Sequence, residues 1–255
     1  MMVLPDKKDA IHKAWLYRVL EAIADDGYLA GVLYFKGGTC ASMLGWLDRF
    51  SVDLDFDYSG SMEDIAKTRK SMESVFVKIG LSIKDKSKSG IQFFLKYDNS
   101  EKEGAIRTGR NTLKIEAAFP VLSSSKYQTQ RFHEIDRVLI CQTRETMFAH
   151  KLVAITDRFN RTGHIAGRDI YDVHHFFLQG YGYNADVIKE RSSFDSENFL
   201  SDLAAFIEKK VTETIITEDL SSLLPPKEFK LIRKVLKRET LNLIRDELVR
   251  LRAKK

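Results

Sequence analysis

The sequence predicts an α+β chain: a small mixed sheet with flanking helices over residues 1–143, then an all-helical C-terminal domain over residues 144–255. Three observations predict it. Short apolar runs of strand length, bounded by turn residues, are confined to the first 143 residues. Beyond Thr143, apolar residues recur at helical spacing to the end of the chain. A glycine pair, Gly37-Gly38, joins an apolar run to a short helix and then to a strand carrying two carboxylates.

In chain order, Ile11, Trp15, Val19, Leu20 and Ile23 predict an amphipathic helix over 10–25. Residues 31–35 and 52–56 predict strands, with a short helix over 40–47 between them. Ser61 is the expected cap of a helix reaching about residue 79, which Gly80 stops. Strands are expected at 81–84, 91–97, 112–119 and 137–142, with a polar loop at 99–110. Four or five of these segments make a small mixed sheet. Helices are then expected at 144–159, 169–178, 185–189, 194–210, 213–224 and 227–252, with Pro225-Pro226 starting the last.

The composition limits the function classes. A chain of 255 residues is one or two domains at ~150 residues each. With 44% hydrophobic and 11% aromatic residues it can build a real core. No apolar run approaches the ~20 residues of a membrane span, and residues 1–8 carry no signal-peptide core, so a cytoplasmic protein without membrane partners is expected. Cys40 and Cys141 read as reduced, buried thiols, and no Cys or His cluster has zinc-ligand spacing. The formal charge of +5 is uneven: residues 227–255 carry a net +7 and the remainder −2. The basic end suggests a polyanionic partner or a solvated charged face.

The chemistry concentrates between Lys36 and Asp57. Residues two apart on a strand share a face, so Asp53 and Asp55 project together while Leu54 and Phe56 enter the core. Two adjacent carboxylates repel and are costly to bury, and a hard divalent cation such as Mg²⁺ relieves both problems. Gly37-Gly38, followed by the Thr39 hydroxyl, offers backbone that phosphates can approach closely. A third carboxylate from a neighbouring strand would complete a two-metal site, and Glu116 in Lys114-Ile115-Glu116 is the best candidate. Lys114, on the same face, either meets a phosphate or restrains Glu116. Lys151 sits beside the apolar Leu152 and Ile155, where a cation wants an anion or an exit to water. Asp169 suits a helix first turn, and Arg168 and Asp172 can pair with each other or with Arg158. His150, His174 and His175 read as packing or surface residues.

The run Phe35-Lys36-Gly37-Gly38-Thr39 with Arg49-Phe50-Ser51-Val52-Asp53-Leu54-Asp55-Phe56 resembles motif I of the nucleotidyltransferases related to DNA polymerase beta. Thr39 stands where serine is more usual. Together with Glu145-Thr146-Met147-Phe148-Ala149-His150-Lys151-Leu152-Val153-Ala154-Ile155, Arg158 and Gly167-Arg168-Asp169-Ile170-Tyr171-Asp172-Val173, it is similar to the motif set of the AbiEii/AbiGii-type nucleotidyltransferases. These are toxins of abortive-infection, type IV toxin–antitoxin systems. The resemblance covers roughly residues 30–178. It implies a nucleotidyltransferase core and Mg²⁺-dependent transfer of a nucleotide from an NTP to an acceptor hydroxyl. Some family members use the 3′ end of tRNA and so block translation. A separate antitoxin is implied. By the same resemblance Asp53, Asp55 and Glu116 hold metal, Lys151 and Asp169 serve catalysis, and Lys36, Gly37, Gly38, Thr39, Ser51, Lys114, Arg168 and Asp172 contact substrate. The competing expectations are nucleotidylation of a protein and a non-catalytic nucleotide- or RNA-binding module.

Overall fold

The computed structural model describes residues 2–97 and 110–253. The expected loop at 99–110 lies outside these residues apart from Arg110. The chain divides into two compact units, Met1–Val121 with Tyr127–Gln142, and Leu122–Lys126 with Thr143–Lys255.

The first unit is a mixed sheet with helices. Its elements are α1 (Ala10–Asp25), α2 (Gly27–Val32), β1 (Leu33–Lys36), α3 (Gly37–Met43), β2 (Asp53–Tyr58), α4 (Ile65–Lys78), β3 (Ser82–Lys86), β4 (Ile91–Lys96), β5 (Thr112–Ala118), β6 (Tyr127–Phe132) and β7 (Arg137–Gln142). The strands form one seven-stranded sheet in the order β3-β4-β5-β2-β1-β7-β6. β2 pairs parallel with β5 and β1 with β7, and the other neighbours are antiparallel. Period-2 alternation buries Leu54 and Phe56 of β2 and Leu113, Ile115 and Ala117 of β5. Phe35 packs at ring-centroid distances of 5.3 Å from Phe56 and 5.5 Å from Phe132, which ties the centre of the sheet together.

Several boundaries differ from the sequence expectations. The first strand starts at Leu33, because the Asp26 carboxylate accepts from the Tyr28 and Leu29 amides and caps a short helix through Val32. The glycine turn is itself helical: α3 begins at Gly37 and ends at Met43. Ser61 bonds Asp64 rather than opening the helix, and α4 starts at Ile65. The unexpected β6 has Gln128 and Gln130 between exposed Thr129 and Arg131, too polar a pattern to read as a strand. Its partner β7 supplies the missing signal. Both cysteines are free and buried, and burial pushes the Cys40 thiol well above its ordinary value, with Cys141 beside it.

The second unit is helical: α5 (Arg144–Thr162), α6 (Gly167–Leu178), α7 (Ala185–Ser192), α8 (Ser196–Lys210), α9 (Glu213–Leu220), α10 (Pro226–Ile232) and α11 (Leu236–Ala253). Thr143 caps α5 and Gly163, at φ 72°, ends it. Residues 122–126 join this unit through hydrogen bonds from the Ser123 and Ser124 amides to Glu190 and from Asn184 to the Ser124 carbonyl. Phe148 of α5 stacks on Phe176 of α6 with centroids 4.9 Å apart. The expected single helix over 227–252 is broken at residues 233–235. α10 has no buried side chain to hold it in line, whereas α11 buries Leu236, Leu241, Ile244 and Leu248. Lys237 serves the fold, donating to the Glu208 and Val211 carbonyls at 2.8 Å each. Among the described residues no helix is long and apolar enough to cross a membrane.

At the start of α6 the backbone of α9 passes so close that a Cβ on Gly167 would lie 2.7 Å from the Ile215 carbonyl oxygen and 2.8 Å from Ile216 Cα. Backbone cannot swing aside as a side chain does. Gly167→Ala is therefore expected to destabilise the protein by about 1–3 kcal/mol through overpacking. Thermal unfolding of the purified variant checks this; an unchanged midpoint would show that α9 gives way freely.

Candidate active site

Gly37 follows β1 directly at φ 80°, a conformation that glycine adopts without strain. A Cβ there would lie 2.4 Å from Asp55 Oδ2, so the turn backbone rests against the Asp55 carboxylate. A Cβ on Gly38 would lie 2.9 Å from Arg49 Nη2 and from Ser51 Oγ. The buried Arg49 guanidinium donates to the Phe50 carbonyl, and the Arg49 carbonyl accepts from Ser42 Oγ. The Thr39 hydroxyl donates to the Asp53 carbonyl at 2.5 Å, binding α3 to the start of β2.

Strand register sets the next layer. Across β1, β2, β5 and β4, Lys36, Asp55, Glu116 and Gln92 stand in one row. Paired residues point to the same face, so Asp55 has Lys36 on one side and Glu116 on the other. Asp53 is paired with Lys114 in the same way. Lys114 donates to Glu116, and Gln92 Nε2 donates to the same oxygen at 3.3 Å. Burial would raise the Glu116 carboxyl, but the Lys114 hydrogen bond and charge, with Gln92 and Lys36, hold it below its ordinary value and ionised. Lys36 Nζ lies 2.6 Å from Asp57 Oδ1. Asp57 is buried on the same β2 face as Asp53 and Asp55, and its Oδ2 accepts from Tyr127 Oη at 2.7 Å and Gln142 Nε2 at 2.6 Å.

Beneath β2, buried His12 faces the residue before Asp53. Its Nε2–H donates to the Val52 carbonyl at 2.8 Å, and Nδ1 lies 2.7 Å from Tyr97 Oη. Burial lowers its pKa below the ordinary 6.5, assisted by the Arg110 charge and opposed by the Val52 hydrogen bond and Asp9. A histidine neutral in the fold binds its proton more readily when unfolded. Its contribution to stability is thus complete above pH 6.5 and is lost as pH falls through the interval below it. His12→Gln is expected to flatten the stability-versus-pH curve in that interval, as read by urea unfolding from pH 7 to pH 5.

In the second unit, α5 and α6 share an ion-pair network. Lys151 Nζ lies 2.8 Å from Asp172 Oδ2 and 3.8 Å from Asp169 Oδ1. Arg158 lies 3.1 Å from Asp169 Oδ2. Both carboxylates are buried, with Asp172 at 0% exposure. The anion that Lys151 requires is therefore internal. Arg168 is tied to Asp219 of α9, its amide donating at 3.1 Å and its guanidinium lying 3.9 Å away. His150 accepts from Arg191 at Nδ1 and lies 3.3 Å from Ser125 Oγ, while His174 lies 3.0 Å from Glu239.

A family model for the nucleotidyl transferase AbiEii toxins of type IV toxin–antitoxin systems matches residues 18–242. The chain belongs to the AbiEii family. Membership carries a reaction type, nucleotidyl transfer, and a setting, a toxin with its antitoxin. Two crystal structures share the fold. A candidate nucleotidyltransferase from H. pylori is 20% identical at TM-score 0.53, over 96% of this chain and 98% of that one. JHP933 from Helicobacter pylori is 18% identical at TM-score 0.51, over 98% and 99%. Among curated proteins none matches the sequence.

In this AbiEii-family chain the first unit brings Lys36, Gly37, Gly38, Asp53, Asp55, Lys114 and Glu116 together on the central strands β1, β2 and β5 and the glycine turn. Ser51 stands against Gly38. Lys151, Asp169 and Asp172 meet within the second unit, and Arg168 pairs elsewhere in it. Among the described residues no group of three or more His, Cys, Asp or Glu side chains is gathered tightly enough to hold a metal. The donor chemistry nevertheless fits a divalent cation: hard carboxylate oxygens at Asp53 and Asp55, one of them cradled by a glycine backbone that any Cβ would displace. The sequence reading passed over Asp57, Arg49 and His12. Asp57 was visible as the next member of the Asp53, Asp55 alternation. Arg49 was visible within the motif run, against Gly38 and Phe50, whereas His12 carried no local signal, since its partners Val52 and Tyr97 lie in other segments.

Proposed function

We propose that this chain is a Mg²⁺-dependent toxin that transfers a nucleotide from an NTP to an acceptor hydroxyl, with the 3′ end of a tRNA as acceptor. The observation that supports it most is the row that sets Asp55 beside Glu116, with the Gly37 backbone resting on the Asp55 carboxylate. Asp53, Asp55 and Glu116 would hold the cation, which when bound neutralises phosphate charge in the transition state. The missing Cβ atoms of Gly37 and Gly38 let the turn pack directly on Asp55, Arg49 and Ser51, which places its backbone beside the carboxylates. Lys36, fixed by Asp57, stands next to the carboxylates in the sheet row. Lys114 keeps Glu116 ionised and so available as a ligand. In the second unit Lys151, Asp169 and Asp172 form an ion-pair network that fixes α5 against α6. The acceptor hydroxyl oxygen bonds to the α-phosphorus as the bond to the β-phosphate breaks, pyrophosphate leaves, and the hydroxyl proton passes to solvent.

The test is incubation of purified protein with each labelled NTP and total RNA, with and without Mg²⁺. Label on RNA only when Mg²⁺ is present supports the reading. Label on protein and not on RNA moves the acceptor to a protein. No transfer from any NTP to either acceptor refutes the catalytic reading.

A further inference from the structure

One stripe of α5 carries Lys151, Ala154, Arg158 and Arg161, spaced three or four residues apart and therefore on one helix face. At the C-terminal end of this stripe a cavity of about 510 Å³ opens between α5 and α7, lined by Ala154, Asp157, Arg158, Asn160, Arg161 and Arg191. Three guanidinium groups and one carboxylate thus line it, while Asp169 reaches Arg158 from outside the lining. Two of the guanidinium groups are fixed. Arg158 is held by Asp169, and Arg191 by Asp157, the His150 carbonyl and His150 Nδ1. A guanidinium has five N–H donors, so these bonds orient the forks without exhausting them. Arg161 and Asn160 are exposed. Ala154 keeps the floor of the cavity low.

We propose that this cavity binds a backbone phosphate of a polynucleotide. The proposal rests on the reading above that the acceptor is RNA. Planar guanidinium forks match phosphate oxygens in geometry and charge. The spacing argues for a polymer. Lys151 and Arg161 are ten residues apart, about 15 Å along the helix at ~1.5 Å per residue. A single phosphate group does not span that distance, whereas a chain with a phosphate at every nucleotide does. The negative end of the helix macrodipole also favours an arginine at Arg161. It does not account for Arg191, which arrives from α7, or for the open cavity that the arginines line.

The experiment measures the affinity of the full-length protein for a single-stranded RNA oligonucleotide across a salt series, and for NTP separately. The proteins compared are wild type, Arg161→Glu, Arg161→Lys and, as a charge control remote in sequence on α4, Lys70→Glu. Arg161 is exposed, so its variants should fold normally, and thermal unfolding verifies that. The expected result is a several-fold loss of RNA affinity in Arg161→Glu with the log–log salt slope shallower by about 0.7, the value of one single-strand phosphate contact. Arg161→Lys should regain the slope, Lys70→Glu should keep it, and NTP affinity should hold throughout. Wild-type RNA binding with an unchanged Arg161→Glu curve overturns the cavity and leaves the RNA acceptor standing. An equal loss in Lys70→Glu, or a loss confined to NTP affinity, overturns it too. A wild type with no salt-dependent RNA affinity removes both the RNA acceptor and the cavity's ligand.

Discussion

Asp55→Asn is expected to lower nucleotidyl transfer by at least about a hundredfold, the scale seen when one preorganised electrostatic group is lost from a transition state. The substitution keeps the side chain's shape against the Gly37 backbone, where Asp55 Oδ2 lies close enough to exclude a Cβ. It removes the charge that stands between Lys36 and Glu116 in the sheet row. Mutual repulsion among Asp53, Asp55 and Glu116 falls at the same time, so the unfolding midpoint should stay level or rise slightly. The informative measurement pairs single-turnover transfer with thermal unfolding of the same sample. An active Asp55→Asn enzyme would remove the basis for placing the chemistry here. An inactive but unfolded one would leave the carboxylate a structural role only.

Asp57→Ala should produce the largest loss of stability. The buried Asp57 carboxylate accepts from Lys36 at 2.6 Å, Tyr127 at 2.7 Å and Gln142 at 2.6 Å, joining β1, β2, β6 and β7. Truncation leaves a half-buried ammonium, a phenol and an amide without their shared acceptor. Removing one member of such a buried pair costs about 3–5 kcal/mol. Urea unfolding of Asp57→Ala, with Asp57→Asn as the milder comparison, measures it. Activity should fall as well, because a released Lys36 would be drawn onto Asp55 or Glu116. A loss below about 1 kcal/mol would show that water replaces the carboxylate adequately and that the network is dispensable.

Much of this arrangement was legible in the residues. The Gly-Gly turn and the Asp53, Asp55 alternation depend on contacts a few residues apart, and local chemistry is what a sequence displays. The helical period of α5, α6 and α8 was equally plain, since each carries its own apolar face. β6 was not legible, because an edge strand of polar residues acquires its structure from β7. The break between α10 and α11 was hidden for the converse reason: a continuous helical pattern bends where one half has no surface to bury.

The sequence by itself determined the class of the chain, its glycine turn, its paired carboxylates and the candidate ligand on a neighbouring strand. Each follows from propensity, periodicity or steric freedom within a short segment. Only the tertiary structure decided which charge meets which. It gave Lys36 to Asp57, Lys151 to Asp172 and Arg168 to Asp219. It turned Thr39 inward onto the Asp53 carbonyl, and it set the Arg191 guanidinium of α7 beside those of α5. Charges and hydroxyls choose partners by distance and burial, and both arise only when segments far apart in the chain are brought together.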